Sequence, residues 1–119
     1  MTTHVVYIDD EAPLCRAFSL LLRREPGLSV TTFTDPDEAR RFLQEGSIGL
    51  VFCDYRLPDT NALEVLEALE GTFPFYVVSG DLDVIRDTED HPRVTGVLTK
   101  PFRAERILEI VRAHVPAAG

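Results

Sequence analysis

Cysteine is scarce in this chain of 119 residues: there are two, Cys15 and Cys53. Two thiols support neither a disulfide framework nor a zinc site. Both fall inside segments patterned as helix and strand, where a free cysteine behaves as a small buried hydrophobe. Long apolar runs are missing as well. The opening M-T-T-H-V-V-Y-I-D-D carries no basic leader, and its apolar run is far shorter than the ~20 residues of a membrane span. No membrane partner is expected, and a reducing cytoplasm is the expected compartment. Basic residues are in deficit, twelve against twenty acidic ones, for a formal net charge of -8. That balance opposes attraction to phosphate backbones and anionic lipid, so direct binding of nucleic acid is not expected. The three histidines, His4, His91 and His114, lie apart and match no ligand spacing; exposed positions are expected for them. Repeats and low-complexity stretches are absent except for the terminal P-A-A-G, which reads as the start of a linker.

What is present is an ordinary globular composition, 45% apolar and 27% charged, in a chain of one-domain length. A single domain over residues 1–119 is expected, with a core large enough to need no staple. Strand and helix patterns alternate along it. Val5 to Ile8 is a continuous apolar run suited to a strand covered on both faces. Asp10 or Glu11 can cap the helix that follows, with Pro13 in its first turn and Leu14, Ala17, Phe18 and Leu21 as its apolar stripe. Pro26-Gly27 ends it. Leu28 to Phe33 alternates with Ser29, Thr31 and Thr32, as a half-exposed strand near an edge does. Asp35-Pro36-Asp37-Glu38 has the form of a capping box that opens a second helix through Ala39, Phe42 and Leu43, stopped at Gly46. Ile48 to Cys53 is a third strand, Tyr55 to Asn61 a loop, and Leu63, Leu66 and Leu69 stripe a short third helix that closes near Gly71. Phe75 to Val78 gives a fourth strand. A short, weakly patterned fourth helix ends before Pro92. Val94 to Leu98 gives a fifth strand, and a fifth helix over Arg103 to His114 buries Ile107, Leu108 and Val111. Such alternation with short connections implies an α/β three-layer sandwich, a parallel sheet with helices on both faces.

The apolar runs end on chemistry. V-V-Y-I stops at Asp9-Asp10, L-V-F-C at Asp54, F-Y-V-V at Ser79 and V-L-T at Lys100-Pro101. In an open parallel sheet the carboxyl ends of the strands form the ligand-binding edge. Three carboxylates gathered there repel one another and raise at least one pKa unless a cation neutralises them. Magnesium, or manganese, suits such a site, because it takes one or two carboxylates together with waters and phosphate oxygens. Asp54 is then both ligand and nucleophile toward phosphorus, and an acyl phosphate is the product. Lys100 can pair with one phosphoryl oxygen, and the Ser79 hydroxyl can donate to another.

This constellation resembles the receiver domain of two-component response regulators, the chemotaxis-regulator-like superfamily, over essentially the whole chain. V-V-Y-I-D-D-E is similar to the acidic pair after the first strand, and L-V-F-C-D-Y-R-L-P to the phosphoacceptor strand and loop. V-V-S-G-D is similar to the switch serine or threonine segment, and V-L-T-K-P-F to the lysine-proline segment. The resemblance implies a flavodoxin-like fold, with a five-stranded parallel sheet of order 2-1-3-4-5 flanked by about five helices. It implies phosphorylation at Asp54, with magnesium held by Asp10, Asp54 and the backbone carbonyl of Arg56, and by Asp9 mainly through water. Lys100 and Ser79 sense the phosphoryl group, Arg56 and Asp81 flank it and can pair with each other, and the bond before Pro101 is cis. The partner implied is a sensor histidine kinase or a histidine phosphotransfer protein. Signalling through an aspartyl phosphate, with slow self-dephosphorylation, rather than metabolic catalysis, is the implied function. The surface that shifts is that of the fourth helix, fifth strand and fifth helix, which is also the face implied for a homodimer.

The chain departs from the family at four places, one of them a short third helix with its loop. Val97 stands where a tyrosine or phenylalanine usually reports phosphorylation, Ala62 replaces a loop glycine, and His91-Pro92 replaces a small-residue turn. Val97, Ala62 and the weakly patterned fourth helix favour, as the alternative, a receiver-like interaction module that works whether or not it is phosphorylated. Phe102, after Pro101, is an alternative reporter. A phosphatase acting on external substrates lacks support, since there is no cap over the site and no D-x-D pattern at Asp54.

Overall fold

The computed structural model describes residues 2–115, and the P-A-A-G terminus lies outside them. Strands β1 (Thr3–Ile8), β2 (Leu28–Phe33), β3 (Leu50–Asp54), β6 (Phe75–Ser79) and β7 (Gly96–Thr99) form one parallel sheet in the order β2-β1-β3-β6-β7. Counted along the sheet strands alone, this is the expected 2-1-3-4-5. The segment expected to be a loop instead folds into a two-strand antiparallel ribbon, β4 (Arg56–Leu57) with β5 (Thr60–Asn61). Asp59, at positive φ, makes the turn between them.

Alternation along the strands sorts the core into two halves. Val6, Ile8, Val51, Cys53 and Val77 face helices α2 (Pro36–Glu45) and α3 (Ala62–Glu67). Val5, Tyr7, Leu50, Phe52 and Val78 face α1 (Ala12–Leu22) and α5 (Ala104–His114). Helix α4 (Leu82–Glu89) packs along β6 and β7. A row of aromatic rings runs through the α1 side: Tyr7 stacks on Phe18 at 4.4 Å, Phe18 meets Phe52, and Phe52 stacks on Tyr76. The central strand β3 is buried at every residue, which is why it is apolar up to Asp54. Every residue of the edge strand β2 is half-buried.

Helix phases differ from the expected stripes by about one position. The residues α1 buries are Cys15, Phe18 and Leu22, Ala17 is exposed, and Leu14 and Leu21 are half-buried. Leu14 and Leu21 lie at the stripe edge, and at 3.6 residues per turn the inward line runs through 15, 18 and 22. Likewise α3 buries Ala62, Val65 and Leu66 with Leu63 at its margin, while α5 buries Ile107, Ile110 and Val111 with Leu108 half-buried. The cap of α1 is Glu11, which makes no side-chain capping bond, whereas Asp35 caps α2 through Asp37 N at 2.9 Å. Strand β3 begins at Leu50, and Gly49 just before it passes close to β1, its N donating to His4 O and a Cβ there lying 2.4 Å from Thr3 Cγ2.

The histidines are half-buried rather than exposed, each held by a partner. His4 bonds Thr31 Oγ1 at 2.8 Å, His114 bonds the Tyr76 hydroxyl at 2.9 Å, and His91 Nδ1 accepts from Arg93 N. Arg93 in turn donates to Leu69 O and Gly71 O, closing the chain after α3.

Candidate phosphoryl and metal site

The carboxyl ends of β1, β3, β6 and β7 bring Asp9, Asp10, Asp54, Ser79 and Lys100 to one edge. Backbone bonds fix the approach: Asp9 N donates to Phe33 O, Tyr55 N to Val78 O, and Lys100 N to Ser79 O at 2.9 Å. The peptide bond between Lys100 and Pro101 is cis.

Asp9, Asp10 and Asp54 each offer a carboxylate oxygen within 4.8 Å of the others'. Asp9 is fully buried and Asp54 nearly so, while Asp10 is exposed. Lys100 Nζ stands among the carboxylates, 3.0 Å from Asp9 Oδ2, 3.3 Å from Asp54 Oδ1 and 3.3 Å from Glu11 Oε2. One ammonium does not neutralise so many acids. Burial and the neighbouring Asp9 push the Asp54 carboxyl up to about 6, against the lowering pull of Lys100. Burial alone would lower the Lys100 pKa, but its bond to Asp9 and the charge of Asp54 outweigh that and raise it. An all-oxygen donor set carrying unbalanced negative charge fits a hard divalent cation.

Beside the acids, Asp54, Arg56, Ser79, Gly80, Asp81 and Lys100 line a shallow open cleft. Ser79 is buried, and its Oγ accepts from Asp81 N at 3.0 Å, which leaves its own proton free to donate. Arg56 Nη2 meets Asp81 Oδ2 at 3.0 Å across the mouth. Asp81 has a second task, since its Oδ1 caps α4 by accepting from Asp83 N and Val84 N. Val97 is half-buried on β7 and packs into the core on the α2–α3 side.

Two neighbours of the site are absent from the strand-end reading. Glu11 lies in the same D-D-E run but reads as a cap, and its carboxylate holds Lys100. Tyr7 donates its hydroxyl to Asp9 Oδ2 at 2.7 Å. Its signal was the strand period itself, because residues two apart share a face. The two thiols also sit against the site's backbone, with Cys15 Sγ donating to Asp9 O and Cys53 Sγ to Asp54 O.

Comparison with known proteins gives one consistent result. Residues 5–112 match the response regulator receiver domain. The transcriptional regulatory protein FixJ of Bradyrhizobium diazoefficiens is 30% identical over 99% of this chain and 60% of its own length. The response regulator protein TodT of Pseudomonas putida is 30% identical over 96% of this chain and 52% of its own. This chain therefore spans only part of these curated relatives, and 28% of the transcriptional regulatory protein FlgR of Helicobacter pylori. In fold it superposes on the chemotaxis response regulator CheY4 of Vibrio cholerae with a TM-score of 0.82, covering 95% of this chain and 98% of that one at 21% identity.

Proposed function

The chain belongs to the response regulator receiver domain family, and from that membership we propose that Asp54 is its phosphoacceptor, served by Lys100 and Ser79. Domains of this family accept phosphoryl groups from histidine kinases or phosphotransfer proteins and bind Mg2+ at an acidic pocket; they are signalling domains rather than metabolic enzymes. The observation that carries the assignment to residues is the convergence of the Asp9, Asp10 and Asp54 oxygens within 4.8 Å, with Lys100 Nζ 3.3 Å from Asp54.

In the reaction we propose, an oxygen of Asp54 attacks the phosphorus of a partner phosphohistidine in line. The P–N bond breaks, and its electron pair leaves with the partner's imidazole. Asp54, Asp10 and the Arg56 carbonyl would hold the cation, with Asp9 acting through water. When bound, the cation supplies positive charge that offsets the charge growing on the phosphoryl oxygens. Lys100 exchanges its carboxylate contacts for a phosphoryl oxygen, and Ser79 turns its free proton toward another. The Arg56–Asp81 pair narrows the approach of donor and of water, and so sets how fast the acyl phosphate forms and hydrolyses. Incubation with acetyl phosphate and Mg2+ should add one phosphoryl mass to the protein and none to Asp54→Asn. Equal labelling of the variant refutes the assignment.

Val97 supports a second reading, an interaction module indifferent to phosphorylation, because valine has no ring to swing between two positions. On that reading a partner binds with the same affinity before and after addition of beryllofluoride with Mg2+; a change of about tenfold or more, over 1 kcal/mol, excludes it.

A further inference from the structure

Tyr7 has no part in the reaction as proposed, yet it touches the site more closely than packing requires. It is fully buried, stacked on Phe18 at 4.4 Å and edge-on to Phe102 at 6.1 Å. A phenylalanine would make the same ring contacts. The phenol adds a hydroxyl whose burial is costly without a partner, and that partner is Asp9 Oδ2 at 2.7 Å.

The same oxygen is engaged by Lys100 Nζ at 3.0 Å, and Asp9 Oδ1 accepts from Glu11 N at 3.0 Å. Of the roughly four acceptor positions of a carboxylate, these contacts take three. Asp9 is fully buried. When Lys100 moves to a phosphoryl oxygen, Asp9 loses its only cationic contact among the described residues. A buried carboxylate that gives up a direct ammonium contact is expensive to hold unless other donors stay on it. The Glu11 amide is one such donor and the Tyr7 hydroxyl is the other.

We propose that Tyr7 is a positioning residue of this site: by holding Asp9 Oδ2 it keeps that carboxylate oriented toward the cation cluster and satisfied when Lys100 leaves it. The inference rests on the phosphoacceptor reading of Asp54. Two variants separate the hydroxyl from the ring. Tyr7→Phe removes only the hydroxyl, whereas Phe18→Leu loosens the stack and keeps it. Each is measured by calorimetric titration with Mg2+ alone, and by the rate at which acetyl phosphate labels Asp54.

In Tyr7→Phe, Mg2+ binding should weaken about tenfold, as for loss of an outer partner of a metal ligand, and labelling should slow to a similar degree. Phe18→Leu should stay near wild type in both. Wild-type behaviour of Tyr7→Phe in both measurements overturns the inference, as does a Phe18→Leu variant that reproduces both losses. Slower labelling at unchanged Mg2+ affinity supports the release of Lys100 and overturns the orienting role. If the wild type itself takes no label at Asp54, the phosphoacceptor reading fails, and the role at Lys100 release falls with it.

Discussion

Asp54 lies at the end of a strand buried along its whole length, and its carboxyl is raised to about 6 by burial and by Asp9. In the unfolded chain an aspartate titrates near its ordinary value of 3.8. Between those values the folded protein binds more protons than the unfolded one, so this group's contribution to stability falls as pH rises through the window and stays low above it. An asparagine side chain in its place cannot ionise. Without a divalent cation, Asp54→Asn should therefore be more stable than wild type by about 1–2 kcal/mol near pH 7.5, with the gain vanishing near pH 4, after allowing for the lost contact with Lys100. Urea unfolding in the presence of a chelator at the two pH values reads this directly. Equal stability at pH 7.5 would mean that Lys100 already balances the cluster. Addition of Mg2+ should raise the wild-type melting temperature more than that of the variant, because a ligand of the folded state stabilises by mass action.

At the level of elements, Asp81 divides one carboxylate between two jobs. Its Oδ1 caps α4 at Asp83 N and Val84 N, and its Oδ2 holds Arg56 at 3.0 Å. Removing a cap costs about 1 kcal/mol, whereas an exposed ion pair contributes about 0–1 kcal/mol. Asp81→Ala should thus lower stability by about 1–2 kcal/mol and Arg56→Ala by less than about 0.5 kcal/mol. Both variants open the cleft mouth and should change the lifetime of the acyl phosphate in the same direction, measured by decay of the phosphorylated mass after donor removal. Opposite changes would show that the pair does not act as a unit. The gathering of Asp9, Asp54, Ser79 and Lys100 at one edge was legible in the sequence because each apolar run ends on a polar residue of distinct chemistry, whereas the order of the sheet strands came from the family resemblance. Helix faces were less so. A stripe one position round, Cys15-Phe18-Leu22 instead of Leu14-Phe18-Leu21, differs by only part of a turn, and leucines satisfy both patterns. The β4–β5 ribbon has two residues in each strand, too few to show a period. Partners of the histidines lie 27 and 38 residues away for His4 and His114, beyond any local pattern.

Across the whole molecule, the proposed phosphorylation of Asp54 would have to reach the surface without an aromatic switch at position 97. A gain of up to about two negative charges at Asp54 would act first on the groups that can donate to it. Ser79 is one, and its Oγ also accepts from Asp81 N, the N-cap of α4. A turn of Ser79 toward a phosphoryl group there would therefore pull on the first turn of α4, where Leu82 is 65% exposed. Lys100 is the other, and the chain continues from it through Pro101 to Phe102, whose ring meets Tyr7. Val97, half-buried against the opposite half of the core, lies on neither route. Amide spectra recorded with Mg2+ alone and with Mg2+ and beryllofluoride should show their largest changes distant from the site at Leu82–Val84 and at Phe102. The signals of Val97 and Val94 should move little. Dominant shifts at Val97 would place the readout on β7 after all, and shifts confined to Asp54 and its immediate neighbours would favour the module that phosphorylation does not switch.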